Sequence, residues 1–199
     1  MLVQNRMTKN PKTISPDEFL SAGLLKMQEG GFRRLPVLQD GKLIGIITDR
    51  DLREHGQLLE RTKTRSVMTK DLLTVTPRAT LEQAAKLMLS HKISGLPVTD
   101  AGRLVGIITT SDILQAFLDM LGASEEGSFR IDIVLEEGHD LALAANTIVE
   151  EGGEITGVGT HKDSWDANRV CYLHARGMDP DRLADALKAR GYNVVGLHL

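Results

Sequence analysis

Two apolar runs, LIGII at 43–47 and LVGII at 104–108, stand 61 positions apart. Neither alternates apolar with polar residues as a one-sided strand would, so each predicts a strand covered on both faces. Each is preceded by LPV, at 35–37 and 96–98, with a polar interruption carrying Gly41 or Gly102. Two apolar runs around a turn glycine predict a hairpin. Asp40-Gly41 is a strong turn signal, because glycine tolerates a positive φ there. Upstream of the second hairpin, LEQAAKLMLS has helical spacing. Downstream, SDILQAFLDML predicts a helix stopped by Gly122. Short extended pieces, KTIS at 12–15 and LTVT at 73–76, run toward Pro16 and Pro77. Each copy therefore predicts β-α-β-β-α.

The anchors of the two copies keep one offset. Met7-Thr8-Lys9 recurs as Met68-Thr69-Lys70, Pro16 as Pro77, Met27 as Met88, and Thr48 and Asp51 as Thr109 and Asp112. A gapless duplication of two units is too short for a solenoid and predicts a pseudo-symmetric pair packed face to face. The polar stretch ASEEGS at 123–128 breaks the pattern. Beyond it come an alternating strand (SFRIDIVLEE), a helix (HDLALAANTIVEE), two strands (EITGVGTH, NRVCYLHA), a helix opened by Asp179-Pro180 and closed at Gly191, and a last strand. That order, β-α-β-β-α-β, is the split, ferredoxin-like arrangement. The expected organisation is α/β (α+β): repeats at 1–61 and 62–122, a linker at 123–127, and a third domain at 128–199.

Composition narrows the functions. Aromatics make up 4% of the chain, too few for base-stacking platforms. Residues 1–122 hold 17 Lys and Arg against 13 Asp and Glu, and residues 123–199 hold 7 against 14. A mildly basic front half suits a small anionic ligand and is too weak and mixed for a nucleic-acid footprint. No apolar run of 18 residues predicts a membrane span, and the opening MLVQNRMTKN has no secretory apolar core. The one cysteine, Cys171, fits a reducing cytoplasm and reads as strand core. The six histidines form no zinc pattern. His161, Asp163 and Asp166 cluster, but in a segment composed like a polar hairpin loop, and Trp165 beside them is a weak candidate for an interface. No nucleophile elbow or phosphate-binding loop is present, so no enzyme is expected.

The candidate chemistry lies in the duplicated Thr48-x-x-Asp51 and Thr109-x-x-Asp112. Threonine with an acid three residues later, before an apolar run, is a capping box. The same place can serve a ligand. A strand running into a helix N-terminus offers backbone N–H groups to a phosphate. A threonine hydroxyl can donate to it, and a carboxylate can accept from the two hydroxyls of a ribose. The charged neighbours were not duplicated: Arg33, Arg34 and Arg50 have Ser94, Gly95 and Ser111 at the matching offsets. On sequence alone these arginines belong beside Thr48 and Asp51, which predicts stronger phosphate preference in the first-repeat cleft.

The pattern M-T, T-x-[ST]-P, L-P-V and G-hydrophobic-hydrophobic-T-x-x-D resembles the CBS domain over residues 3–121. Two copies resemble the tandem CBS pair called a Bateman module, whose ligands are adenosine compounds such as AMP, ADP and ATP. The resemblance implies Asp51 and Asp112 as ribose ligands and Thr48 and Thr109 as their hydroxyl partners. It implies adenine contacts at Thr13, Ile14 and Val37 and at Thr74, Val75 and Val98. The tail resembles an ACT domain, a module that dimerises and often binds amino acids, with Gly138 at its effector loop. That family's acid-x-Pro is replaced by Glu136-Glu137. The whole order resembles bacterial acetoin-utilisation regulatory proteins. The expectation is a cytoplasmic homodimer that senses a nucleotide and regulates a partner enzyme, without binding nucleic acid, membrane or metal. The rival is a scaffold in which the Thr-x-x-Asp units only cap helices.

Overall fold

The computed structural model describes residues 1–136, 138–162 and 169–199. Glu137, Asp163, Trp165 and Asp166, singled out above, lie outside the described residues. The chain divides into two compact units, Met1–Ile113 and Leu114–Leu199.

The first unit carries both repeats. Its elements are β1 (Thr8–Lys9), α1 (Leu20–Gly30), β2 (Arg34–Gln39), β3 (Lys42–Thr48), α2 (Asp49–Glu54), α3 (Leu81–His91), β4 (Gly95–Asp100), β5 (Arg103–Thr109) and the start of α4 (Thr110–Met120). Both predicted hairpins form, β2 with β3 and β4 with β5. Both turns have two residues at positive φ, Asp40 with Gly41 and Ala101 with Gly102. This is the turn whose twist matches that of the flanking strands. The extended pieces shrink to single parallel bridges, Ile14 to Val37 and Val75 to Val98. All four of these residues are core, none more than 9% exposed. The helix after the second hairpin starts one residue before the predicted SDILQAFLDML, at Thr110. Its first-repeat counterpart α2 spans only 6 residues.

The repeats exchange their opening segments. Thr8 pairs with Ile107 of the second repeat, and Thr69 pairs with Ile46 of the first. The backbone repeats the exchange: Val3 N–H donates to Ala79 O, and Thr64 N–H donates to Glu18 O. Gly106 faces Met7, whose Sδ would lie 2.6 Å from any Cβ at that position. Gly45 faces Met68 in the same way, again at 2.6 Å. The duplicated M-T and G-I-I phrases are thus two halves of one contact made twice.

The second unit continues α4 and adds β6 (Phe129–Leu135), α5 (Leu141–Glu150), β7 (Glu154–Lys162), β8 (Arg169–Arg176), α6 (Pro180–Ala189) and β9 (Asn193–His198). Its sheet order is β7-β8-β6-β9, with every neighbour antiparallel, which is the ferredoxin-like split arrangement. Asp140 and Asp179 cap α5 and α6. Ile131, Ile133, Cys171 and Leu173 alternate onto the face packed with Ala144, Ile148, Leu183 and Leu187 of those helices. Burial pushes the Cys171 thiol up to about 11, as suits a core cysteine. Residues of the intervening register carry a polar cluster. Arg130 donates to both oxygens of Asp132, at 2.6 and 2.9 Å, and lies 4.7 Å from the Tyr172 ring centre.

His174 belongs to this cluster and is 8% exposed. Burial lowers its pKa, Arg130 adds to the effect, and Asp132 opposes it. The unfolded chain therefore takes up a proton at higher pH than the folded one, and stability must fall as pH drops below about 6.5. Denaturant unfolding at pH 7.5 and 5.5 should show this loss, and His174→Gln should reduce the difference. Identical pH responses in the two proteins would show that His174 is not its source.

Candidate nucleotide site

Each hairpin's second strand runs directly into a helix, so Thr48 and Thr109 end a strand and start a helix at once. Thr48 N–H donates to Asp51 Oδ2 at 2.7 Å, and the Thr48 hydroxyl donates to the same oxygen at 2.8 Å. In the second copy both distances are 2.7 Å. The Asp51 and Asp112 N–H groups donate back to the threonine hydroxyls at 3.5 and 3.4 Å. Both units are therefore capping boxes in fact. The boxes use only one oxygen of each aspartate. Among the described residues, Oδ1 of Asp51 and of Asp112 has no hydrogen-bond partner, so each carboxylate keeps an acceptor for a ligand. The threonine proton is committed to its own aspartate, so contact with a phosphate would require the hydroxyl to turn.

Thr109 and Asp112 line a cavity of about 630 Å³ in the first unit. Its other walls come from both repeats: Thr8, Asn10, Pro11 and Lys12; Gly30 to Arg34; and Ser94, Ile107, Thr110 and Ser111. Arg33 and Arg34 line the cavity that holds Thr109 and Asp112. Arg34 pairs in register with Thr48, but its guanidinium crosses to the second repeat. There it donates to the Ser94 carbonyl and, at 2.5 Å, to the Ser94 hydroxyl. Gly95, at the position equivalent to Arg34, provides the space, since any Cβ on Gly95 would collide with that guanidinium. Burial lowers the Arg34 pKa, and Arg33 adds to this, while Asp49 and Asp112 favour its charge. Arg50 is not in this lining; its side chain is 79% exposed and lies 3.9 Å from Glu54.

Of the residues expected to meet adenine, Ile14, Val37, Val75 and Val98 have buried side chains. What they can offer a ligand is backbone. Thr13 is half-buried and Thr74 exposed. Lys12 was not singled out by the sequence, although it directly precedes Thr13; the cavity makes it a site residue. Gly138 lies at the β6–α5 turn with φ at 91° and open space where a Cβ would be. Next to it, Tyr192 OH donates to Asp140 O at 2.6 Å, and the His139 and Tyr192 rings lie 4.9 Å apart. Among the described residues no group of three His, Cys, Asp or Glu side chains could hold a metal. No helix among them is long and apolar enough to cross a membrane.

The CBS-domain family matches residues 3–57 and 65–119, more than half of the chain. The chain belongs to that family, as a tandem CBS pair followed by a ferredoxin-like unit. An acetoin utilization protein (AcuB) from Vibrio cholerae shares 34% identity and a TM-score of 0.54, over 59% of this chain and 90% of that one. The structure of CBSX2 in complex with AMP is 32% identical, with a TM-score of 0.52, over 59% of this chain and 96% of that one. The CBS pair of protein MJ0100, in complex with 5′-methylthioadenosine and S-adenosyl-L-methionine, is 28% identical with a TM-score of 0.55, over 59% of this chain and 95% of that one. An inosine-5′-monophosphate dehydrogenase of Korarchaeum cryptofilum is 37% identical over 123 residues, and the match spans about a quarter of that enzyme.

Replacing Thr109 by Ala removes the cap of α4. Urea unfolding should then show a loss of about 0.5–2 kcal/mol. A change within error would mean that the box contributes nothing to the fold.

Proposed function

We propose that this protein is a non-enzymatic regulator whose CBS pair binds an adenine nucleotide. The observation that carries this reading is the cavity itself. It joins a carboxylate with a spare acceptor, Asp112, to the cationic side chains of Lys12, Arg33 and Arg34. A ribose and a phosphate ask for those two features side by side. The adenosine ligands of CBSX2 and of the MJ0100 CBS pair support the same ligand class here. Thr48 and Asp51 form the equivalent unit in the other repeat. Ligand binding between repeats would favour one packing of the pair over another, and the ferredoxin-like unit or a partner enzyme would read the change.

We take the chain as repeats at 1–61 and 62–122, a linker at 123–127 and an ACT-like domain at 128–199. That domain would supply dimer contacts or a second effector site near Gly138. The similarity to the Vibrio cholerae protein supports a place among acetoin-utilisation regulators, and the single cysteine fits a cytoplasmic setting. The scaffold reading keeps one observation in its favour: both Thr-x-x-Asp units do cap helices.

Calorimetry and melting of Asp51→Ala and Asp112→Ala proteins separate the two readings. Loss of a charge-assisted acceptor should weaken nucleotide binding by about 1.5–3 kcal/mol. A lower melting temperature with unchanged affinity would leave only the caps. A nucleotide at about 100 times its Kd should stabilise the wild type by roughly 2.7 kcal/mol, and no response to any adenosine compound would favour the scaffold.

The reading also includes a homodimer. Leu114, Phe117, Leu118 and Met120 of α4 are all exposed, and two-fold pairing is the commonest way to cover such a surface. Light scattering at micromolar concentration should give twice 21.8 kDa. A mass near 21.8 kDa would contradict it.

A further inference from the structure

The two repeats do not build equal clefts. Lys12, Arg33 and Arg34 line the Thr109–Asp112 cavity. Moved by the repeat offset, those positions hold Leu73, Ser94 and Gly95. The neutral lining residues Asn10 and Thr110 correspond to Asp71 and Asp49. So the cavity around Asp112 has three cations and one acid, while the positions equivalent to its whole lining hold three cations, Arg33, Arg50 and Lys92, against three acids, Asp49, Asp51 and Asp71. Asp49 is itself held by Arg53 at 2.5 Å. Among the described residues no acid pairs with Lys12 or Arg33. A phosphate beside Asp112 would meet an excess of cations, and at the equivalent positions beside Asp51 as many acids as cations.

We infer that the phosphate of the bound nucleotide is selected in the Thr109–Asp112 cavity, by Lys12 and Arg33 reaching across from the first repeat. This rests on the adenine-nucleotide reading and assigns the ligand's anionic end to named residues. Arg34 has a different part. Its bonds to Ser94 fasten the two repeats together at the cavity wall, so Lys12 and Arg33 are the cations free to follow the ligand. Sequence offset alone gives the opposite assignment, because it attaches each arginine to the threonine of its own repeat.

The test uses the full chain, AMP and adenosine. In the wild type AMP should bind at least tenfold more tightly than adenosine, and added salt should narrow that gap. Lys12→Gln combined with Arg33→Gln should remove most of the preference while changing adenosine affinity less than threefold. Arg34 is left in place so that the repeats stay fastened. Amine acetylation read by mass spectrometry gives the location. AMP should protect Lys12 and leave Lys92, the residue equivalent to Gly31 of the cavity lining, as reactive as before. An unchanged AMP preference in the double variant, or protection of Lys92 without Lys12, overturns the inference while leaving nucleotide binding standing. A wild type that binds neither compound overturns the nucleotide reading and this inference with it.

Discussion

Gly45 and Gly106 carry no side chain because Met68 and Met7 lie where one would be. That contact, made twice, holds each repeat's opening segment on the other repeat's central strand. A methyl group at either glycine would press on a methionine, and at Gly106 also on the Thr8 carbonyl, 3.0 Å away. Overpacking of this kind costs about 1–3 kcal/mol in well-packed interiors. The exchange does more than stabilise. It carries Asn10 to Lys12, the residues just after the Met-Thr phrase, to the second repeat's hairpin. The wall opposite Asp112 is therefore built from the first repeat.

The Thr-x-x-Asp unit serves two ends because a carboxylate has two oxygens. Oδ2 takes the N–H and the hydroxyl of the threonine and so fixes the side chain. A carboxylate held in that way is preorganised, and the other oxygen can meet a ligand without a further loss of rotamer freedom. Cap and ligand site are not competing descriptions of these residues. The cap is what aims the ligand oxygen. What distinguishes the two copies is the charge around them, which the fold takes from the opposite repeat.

Much of this was legible in the chain. The offset of 61 gave both hairpins and their Asp-Gly and Ala-Gly positions, and it put the following helix starts within two residues, since these depend on local turn and cap chemistry. The tail's strand and helix order was legible for the same reason, and the sheet order follows from it. The arginines were not. Arg33 and Arg34 stand next to Thr48 across the hairpin, and only the pseudo-two-fold packing, with Gly95 opening a space, turns them toward Asp112. Lys12 was missed on the same ground, because the second-repeat residues that line the cavity with it are 82 or more residues away in the chain. Repeats show which positions are equivalent, but not which copy a side chain serves.

The central claim is that an aspartate already acting as a cap reads a ribose with its spare oxygen. It is tested most directly by comparing AMP with 2′-deoxy-AMP in a calorimetric titration of the wild-type protein. The two ligands have the same base and phosphate and differ in one hydroxyl. The account predicts at least a tenfold weaker affinity for the deoxy compound, as expected when a hydrogen bond to a charged group is lost, and equal affinities would contradict it.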